Sequence, residues 1–348
     1  MDRHIISHTA TLIEALGKLN SLSGGQMTLL VTDDDMRICG TLTDGDVRRA
    51  ILRGVSLDTA VIEAMHRDYS ALREGDESVS RLREMRQRGV HLVPVLDADG
   101  RIRRIIDTSV TRSILPVGAV LMAGGKGERL RPLTLTTPKP LLPLGDRPVI
   151  DHNIDALARV GVNDISVTVN YLAEQLEEHF STAVSGVKVK CVRENMPMGT
   201  IGAVALCDIP AEGDTIVMNS DLLTTISFED MYLHHKAEEA DITVAAIPYN
   251  VSVPYAILAT DGSRVTSLEE KPSYSYYANA GIYMISNRLL RSLPADRRTD
   301  ATDLIDMALS EGRKVTYFLI NGTWIDIGSP SDYAHARELM RHVDLTQR

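Results

Sequence analysis

The sequence predicts an α/β protein in two parts: a doubly wound, mainly parallel sheet over residues 116–348, preceded by a smaller α+β unit over residues 1–115. Three observations lead there. A chain of 348 residues exceeds one average domain. From Val117 onward, short apolar runs alternate with segments of helical spacing, the pattern of successive βα units. Ahead of them one plan of about 55 residues occurs twice, which marks an internal duplication.

In the first copy, Ala10 to Leu19 has helical apolar spacing and Thr28–Thr32 reads as a strand. An acidic turn, Asp33-Asp34-Asp35, leads to a second strand and then to a helix from Asp46 to Leu52. The second copy gives helix Val79 to Arg88, strand His91 to Leu96, turn Asp97-Ala98-Asp99-Gly100 and strand Arg101 to Ile106, with a helix again expected to follow. Neither copy has much core alone, so the two are expected to bury their sheets together.

The larger part opens with the strand Val117 to Met122. Helices Ile150–Val160 and Leu172–Phe180 then alternate with strands Asp164–Asn170 and Val187–Val192. Thr215–Asn219, Ile242–Pro248 and Ala256–Leu258 are further strands. Ligands of such sheets collect beyond the carboxyl ends of the strands. The motifs below are each expected just after a strand.

Composition narrows the class. Hydrophobic residues make up 44% and charged residues 24%, ordinary for a globular chain. The formal charge of −10 provides no global positive field to recruit nucleic acid or an anionic membrane. Residues 1–115 carry 16 basic and 17 acidic groups and the remainder 21 and 30, so a cationic cluster in the second part stands out. Cys39, Cys191 and Cys207 are scattered, without a C-x-x-C pair, and Met1-Asp2-Arg3-His4 lacks a signal peptide's apolar run. The longest nearly apolar run, Ile114 to Ala123, is about half of what a membrane span needs. A reducing cytoplasm is the expected compartment.

The cationic cluster follows the Val117–Met122 strand directly. Ala123-Gly124-Gly125-Lys126-Gly127-Glu128-Arg129-Leu130-Arg131-Pro132, with Lys139 beyond, holds four cations against one acid. Its glycines permit close backbone approach, and consecutive N–H groups can form an anion-binding nest. Neither a Gly-Lys-Ser/Thr ending nor a G-x-G-x-x-G spacing is present, so it is not a Walker or dinucleotide loop.

The string Gly124 to Thr134, followed by Pro138-Lys139-Pro140-Leu141-Leu142-Pro143, resembles the signature of nucleotide-diphosphate-sugar pyrophosphorylases, most of all the guanylyltransferase branch. That resemblance implies a Rossmann-like nucleotidyltransferase fold and transfer of a nucleotidyl group to a sugar 1-phosphate, with Mg²⁺ as cofactor. Ala123, Gly124, Gly125, Lys126 and Gly127 would then bind nucleotide phosphates, and Arg129 and Lys139 would stabilise the departing pyrophosphate. The implied metal ligands are Asp221, in Val217-Met218-Asn219-Ser220-Asp221, and Asp326, in Trp324-Ile325-Asp326-Ile327-Gly328. Without the resemblance these two read as a cap or turn residue and a surface turn.

Arg193-Glu194-Asn195-Met196-Pro197-Met198-Gly199-Thr200 resembles the family's base-reading loop, with Glu194 in the reader's place and Gly199 following. A carboxylate only accepts, and guanine offers N1–H and its amino group side by side, so Glu194 favours GTP. Glu269-Glu270-Lys271-Pro272 and Asn279-Ala280-Gly281-Ile282-Tyr283 resemble the sugar elements. They imply sugar contacts from Glu270, Asn279 and Gly281 and orientation of the sugar phosphate by Lys271. Strand packing is the plain alternative for Asn279 and Tyr283.

Residues 1–113 resemble a tandem CBS domain pair, most specifically at Gly40-Thr41-Leu42-Thr43-Asp44-Gly45-Asp46. Thr43 and Asp46 are the implied contacts of a regulatory nucleotide; alternatively they only shape the turn and cap the helix, Asp46 as N-cap. The matching stretch of the second copy, Arg104 to Val110, lacks both groups. The resemblance also implies a homo-oligomer formed through this pair. A CBS pair ahead of such a transferase looks like the guanylyltransferases that make GDP-glucosamine-type precursors of bacterial nonulosonic (legionaminic) acids. Glucosamine 1-phosphate or its N-acetyl form is then the expected acceptor, with mannose 1-phosphate the alternative. Two other readings stand beside this: a UTP-, dTTP- or CTP-dependent transferase, and a catalytically inactive nucleotide-sensing protein.

Overall fold

The computed structural model describes residues 2–76 and 78–342. It divides into two units: one runs up to Ile114 and includes 159–161, the other comprises 115–158 and continues from Val162.

The first unit contains β1 (Ile5–Ser7), α1 (Leu12–Ser21), β2 (Thr28–Thr32), β3 (Ile38–Thr43), α2 (Asp44–Leu52), β4 (Leu72–Arg73), α3 (Val79–Gln87), β5 (Leu92–Leu96) and β6 (Ile102–Asp107). Its two sheets, β1-β2-β3 and β4-β5-β6, each pair parallel and then antiparallel. The duplication extends to the turns. Asp33 Oδ1 accepts from the Asp35 and Arg37 amides at 3.0 and 2.8 Å, and Asp97 Oδ1 accepts from Asp99 and Arg101 at 2.9 Å each. Met36 and Gly100 both take positive φ at equivalent places. The two turns also bind each other, the Ile38 amide to Gly100 O at 3.1 Å and the Ile102 amide to Met36 O at 3.2 Å. Leu30, Ile38, Leu92, Leu96 and Ile102 form a shared buried cluster, the joint core that two weak copies require.

Two expectations about this unit are corrected. Asp46 is not the N-cap of α2. Thr43 is, and Asp46 sits three residues on in a capping box: the Asp46 amide donates to Thr43 Oγ1 at 3.3 Å, and Asp46 Oδ2 accepts the Thr43 amide at 2.8 Å. No helix follows β6. At the matching positions Asp107 Oδ1 accepts the Ser109 amide at 2.9 Å and the Ser109 hydroxyl at 2.5 Å, and Val110 stands where the box needs an acid. The local turn takes the hydrogen bonds a helix start would use.

The second unit contains β7 (Gly118–Ala123), the short hairpin β8 (Pro143–Leu144) and β9 (Arg147–Pro148), α4 (Val149–Arg159), β10 (Ile165–Val169), α5 (Ala173–His179), β11 (Lys190–Arg193), β12 (Asp214–Asn219), β13 (Leu222–Thr224) and α6 (Phe228–Ala237). It continues with β14 (Ile242–Ser252), β15 (Ile257–Asp261), β16 (Arg264–Glu269), β17 (Ser273–Ser286), α7 (Asn287–Leu290), α8 (Ala301–Ser310), β18 (Val315–Leu319), β19 (Trp324–Asp326) and α9 (Pro330–His342). The seven-stranded sheet runs β11-β10-β7-β12-β17-β14-β18, and β17 alone is antiparallel to its neighbours. Ala119, Val120 and Leu121 of β7 are all at most 2% exposed, so both faces of the sheet are covered, and the mainly parallel, doubly wound class holds.

From β7 the chain order runs outward through β10 to β11, whereas β12 lies on the other side. This reversal is the topological switch point, where such sheets open a crevice at their carboxyl ends. Among the described residues no helix is long and apolar enough to cross a membrane.

Candidate active site

Register determines which loops meet in that crevice. Ala123 of β7 pairs with Val169 of β10, Val169 with Arg193 of β11, and Met122 with Asn219 of β12. The residues that follow, Gly124, Asn170, Glu194 and Ser220, therefore emerge along one rim. They line a cavity of about 690 Å³ together with Gly125, Lys126, Gly127, Arg129, Lys139, Gly199, Asp221, Arg298 and Asp326.

The glycine loop after β7 is shaped by what its glycines face. Gly127 has φ +60°, and a Cβ there would meet Thr134 Cγ2 at 3.0 Å and Lys139 Cβ at 3.2 Å. The Thr134 hydroxyl donates to Gly127 O at 2.8 Å, fixing the turn. Gly124 lies under the Glu194 carboxylate: a Cβ on Gly124 would fall on Glu194 Oε1 and 3.1 Å from Cδ. Lys126, Arg129 and Lys139 reach the cavity. Arg131, counted with the cationic cluster from sequence, is not among its lining residues; its guanidinium donates to Glu128 at 3.3 Å.

Asp221 and Asp326 come from sequence positions more than a hundred residues apart. The antiparallel pair β13–β19 sets Leu222 opposite Asp326, and the Ile327 amide donates to Asp221 O at 3.1 Å. Asn153, from α4, donates to Ser220 O at 3.3 Å and to Leu222 O at 3.0 Å, holding the turn between β12 and β13. Lys139 Nζ bonds Asp221 Oδ2 and lies 3.6 Å from Asp326 Oδ1. Burial, then the Asp221 charge beside it, pushes the Asp326 carboxyl above its ordinary range, while Lys139 and Arg129 pull it back. The Arg129 guanidinium lies over Gly328, where a Cβ would be 3.4 Å from Nη2 and 3.3 Å from Asp326 Oδ2.

These two carboxylates are suited to a hard divalent cation. Asp221 Oδ1 is buried and has no hydrogen-bond partner, an acceptor left for something else. Among the described residues no group of three or more His, Cys, Asp or Glu gathers as a metal cage. Two carboxylates with retained water and phosphate oxygens are what Mg²⁺ takes in nucleotide sites.

Glu194 is held from the opposite side. Its Oε2 accepts from Asn170 Nδ2 and from the Met198 amide, both at 3.3 Å. Burial raises its carboxyl above the ordinary value, and those two hydrogen bonds partly offset it. The loop behind it is fastened to residues 299–301. The Thr299 amide donates to Met198 O at 2.9 Å, the Thr200 amide to Asp300 Oδ1 at 2.9 Å and the Ala301 amide to the Thr200 hydroxyl at 2.7 Å. Gly199 is at φ +80°, and a Cβ there would sit 2.5 Å from Thr299 O.

Residues 118–342 match the family described as Nucleotidyl transferase. The chain belongs to that family. Residues 2–53 match the CBS domain, so a CBS domain precedes the nucleotidyl transferase domain. A probable mannose-1-phosphate guanylyltransferase 2 of Arabidopsis thaliana is 35% identical over 228 residues, and a mannose-1-phosphate guanyltransferase of Schizosaccharomyces pombe is 34% identical over 225. Each match covers 62% of this chain and 62% of the relative, so the chain spans about 62% of the length of these curated relatives. Among solved structures, HddC from Yersinia pseudotuberculosis complexed with GMP-PN aligns with a TM-score of 0.50 at 24% identity. It covers 64% of this chain and 99% of that one, a likeness of fold alone.

Not every sequence-predicted residue of the nucleotidyl transferase domain enters the cavity. Glu270 and Lys271 lie between β16 and β17 and are exposed, on a ribbon whose residues 254–277 are exposed except Pro272. They do follow a strand, β16, as expected, but neither lines the cavity. The expectation that each motif falls just after a strand fails for Asn279 and Gly281, which lie within β17, and for Asp326, within β19. The Asn279 amide donates to the Tyr283 hydroxyl at 2.9 Å while its carbonyl accepts the Gly281 amide at 2.9 Å. Gly281, at φ +71°, leaves room for Asn219, whose side chain occupies the place a Cβ would need. Sequence reasoning missed Asn170, Asn219 and Arg298 as lining residues. Asn170 and Asn219 close apolar strands beside known motifs and could have been flagged; Arg298 carries no local signal.

In the CBS domain Thr43 and Asp46 are occupied with each other through the capping box, and Arg49 pairs with Asp46. Burial raises the Asp46 carboxyl, but the Thr43 and Arg49 hydrogen bonds outweigh it and leave it below the ordinary value.

Proposed function

We propose that this chain is a sugar-1-phosphate nucleotidyltransferase that uses GTP. The observation that carries the reading is one cavity in which the glycine loop, with Lys126, Arg129 and Lys139, faces the carboxylates of Asp221 and Asp326. A sugar-phosphate oxygen attacks the α-phosphorus in line, the bond to the bridging β-oxygen breaks, and pyrophosphate leaves. The nucleophile is already an anion, so catalysis is positioning and charge stabilisation.

The backbone of Ala123 to Gly127 and Lys126 grip the phosphates; Arg129 and Lys139 neutralise the departing pyrophosphate. Asp221 and Asp326 would hold Mg²⁺, which when bound neutralises phosphate charge. Glu194 supports guanine over uracil or thymine, since two adjacent donors match an acceptor-only group. The names of the relatives, mannose-1-phosphate guanylyltransferases, point the same way. They also make mannose 1-phosphate a candidate acceptor beside glucosamine 1-phosphate and its N-acetyl form, which the CBS-first domain order favours. Sugar contacts by Glu270, Asn279 and Gly281, and orientation of the sugar phosphate by Lys271, rest on their motifs. A second CBS copy, a regulatory nucleotide at Thr43 and Asp46, and homo-oligomer formation complete the reading.

The test is pyrophosphate release from GTP, UTP, dTTP and CTP with each of the three sugar phosphates. Release that depends on both GTP and a sugar phosphate is expected. Release with UTP or dTTP in preference to GTP would overturn the role of Glu194, and no release with any pair would overturn the enzymatic reading.

A further inference from the structure

We propose that Lys139 is the internal counter-ion of the Asp221–Asp326 pair, so that a divalent cation gains Asp221 only as the nucleotide triphosphate draws the Lys139 ammonium away. This rests on the nucleotidyl-transfer reading above and assigns it an order of assembly.

The geometry is specific. Asp221 has one oxygen, Oδ1, that is buried without a partner, and another, Oδ2, bonded by Lys139 Nζ. The same ammonium lies 3.6 Å from Asp326 Oδ1. The Lys139 side chain is 12% exposed and that of Asp221 20%, against 41% for Asp326. Solvent therefore reaches Asp326 more readily than Asp221, whose Oδ2 is taken by the lysine. Mg²⁺ takes a carboxylate oxygen at about 2.0–2.1 Å, so an ion at the unpartnered Oδ1 would stand only a few ångströms from the ammonium bonded to Oδ2 of the same carboxylate. At that separation ammonium and divalent ion repel, so each disfavours the other at Asp221 on electrostatic grounds.

Lys139 has a second place to go. It opens a short turn between Pro138 and Pro140, and its Cβ packs beside Gly127 of the phosphate loop. From that anchor a four-carbon stem swings the ammonium between the carboxylates and whatever anion the loop holds. Triphosphate oxygens at the loop compete for it, and each step toward them uncovers Asp221. Nucleotide and metal therefore promote each other's binding, and the effect is reciprocal.

The experiment titrates Mn²⁺ into the ligand-free, full-length protein by calorimetry, and separately titrates the α,β-methylene analogue of GTP with and without Mn²⁺. Wild type, Lys139→Met, Lys139→Gln and Arg129→Met are compared; Arg129→Met removes an equal charge from the same cavity without freeing Asp221. Both Lys139 variants are expected to bind Mn²⁺ alone about tenfold tighter than wild type and Arg129→Met less than about threefold tighter. The gain in analogue affinity from Mn²⁺ is expected to shrink in the Lys139 variants, while chelation in solution, common to all proteins, cancels. Equal gains in the Lys139 and Arg129 variants, or none in either, would overturn the proposal. An analogue that fails to bind wild type under both conditions would overturn the nucleotidyl-transfer reading instead, since the Mn²⁺ titration alone does not depend on it.

Discussion

Replacing Gly124 with alanine tests the base-reading role of Glu194 without touching that residue. Gly124 has no positive φ, so alanine is acceptable to the backbone, and its added atom falls on Glu194 Oε1 and 3.1 Å from Cδ. The flexible end of the glutamate has to give way most, with Asn170 Cβ also close at 3.3 Å. Ordinary contact begins near 3.4 Å. The oxygen must retreat by about 1 Å, a displacement that elsewhere costs up to ~10²-fold in rate. The hydrogen bonds at stake give a similar size. Glu194 Oε2 is held by Asn170 and the Met198 amide at 3.3 Å each, and losing two bonds of about 1 kcal/mol amounts to ~30-fold. The assay is pyrophosphate release against GTP and against inosine triphosphate, whose base lacks the exocyclic amino group. The Gly124→Ala variant is expected to raise the KM for GTP by about 30- to 100-fold and to bring the two nucleotides together. A folded variant with the wild-type KM for GTP and the wild-type preference over inosine triphosphate would refute the reasoning.

Three other outcomes are expected. Arg129→Ala should lower kcat by on the order of 10²–10³, as loss of a preorganised charge donor does, and full turnover by a folded variant would remove the loop from catalysis. Gly199→Ala should destabilise its domain by about 2 kcal/mol or more, seen as a fall in Tm, because the new side chain meets left-handed strain and Thr299 O together. The third concerns pH. Burial raises the folded-state value of Glu194 above the unfolded one, so its contribution favours folding at pH below the unfolded value and is lost as pH rises through the folded one. Glu194→Gln should therefore be more stable than wild type at neutral pH, with the advantage vanishing in acid; a Tm difference that does not change with pH would contradict this.

How much could be read without the fold depends on whether the information is local. Alternating apolar runs recorded the sheet, because strand and helix periodicity are properties of neighbouring residues. The glycine loop was legible for the same reason: φ above zero at Gly127 and the close approach at Gly124 both demand glycine in one short string. Helix ends were less legible. Asp46 looks like a cap, yet Thr43 takes that place, since either residue can accept an amide and only geometry chooses. The repeat pattern predicts a helix at the end of the second copy, and a side-chain-anchored turn stands there.

Sequence alone determined the doubly wound class, the duplicated N-terminal plan and the glycine-rich, cationic loop that follows the first strand of the larger unit. Tertiary structure decided which distant residues share one cavity. Asp326 reaches Asp221 only because β19 pairs with β13, Arg298 arrives through the segment fastened behind Gly199, and Glu270 and Lys271 stay outside on an exposed ribbon. These placements depend on strand register and loop packing between residues far apart in the chain, and register is a property of pairs that no single stretch of sequence contains.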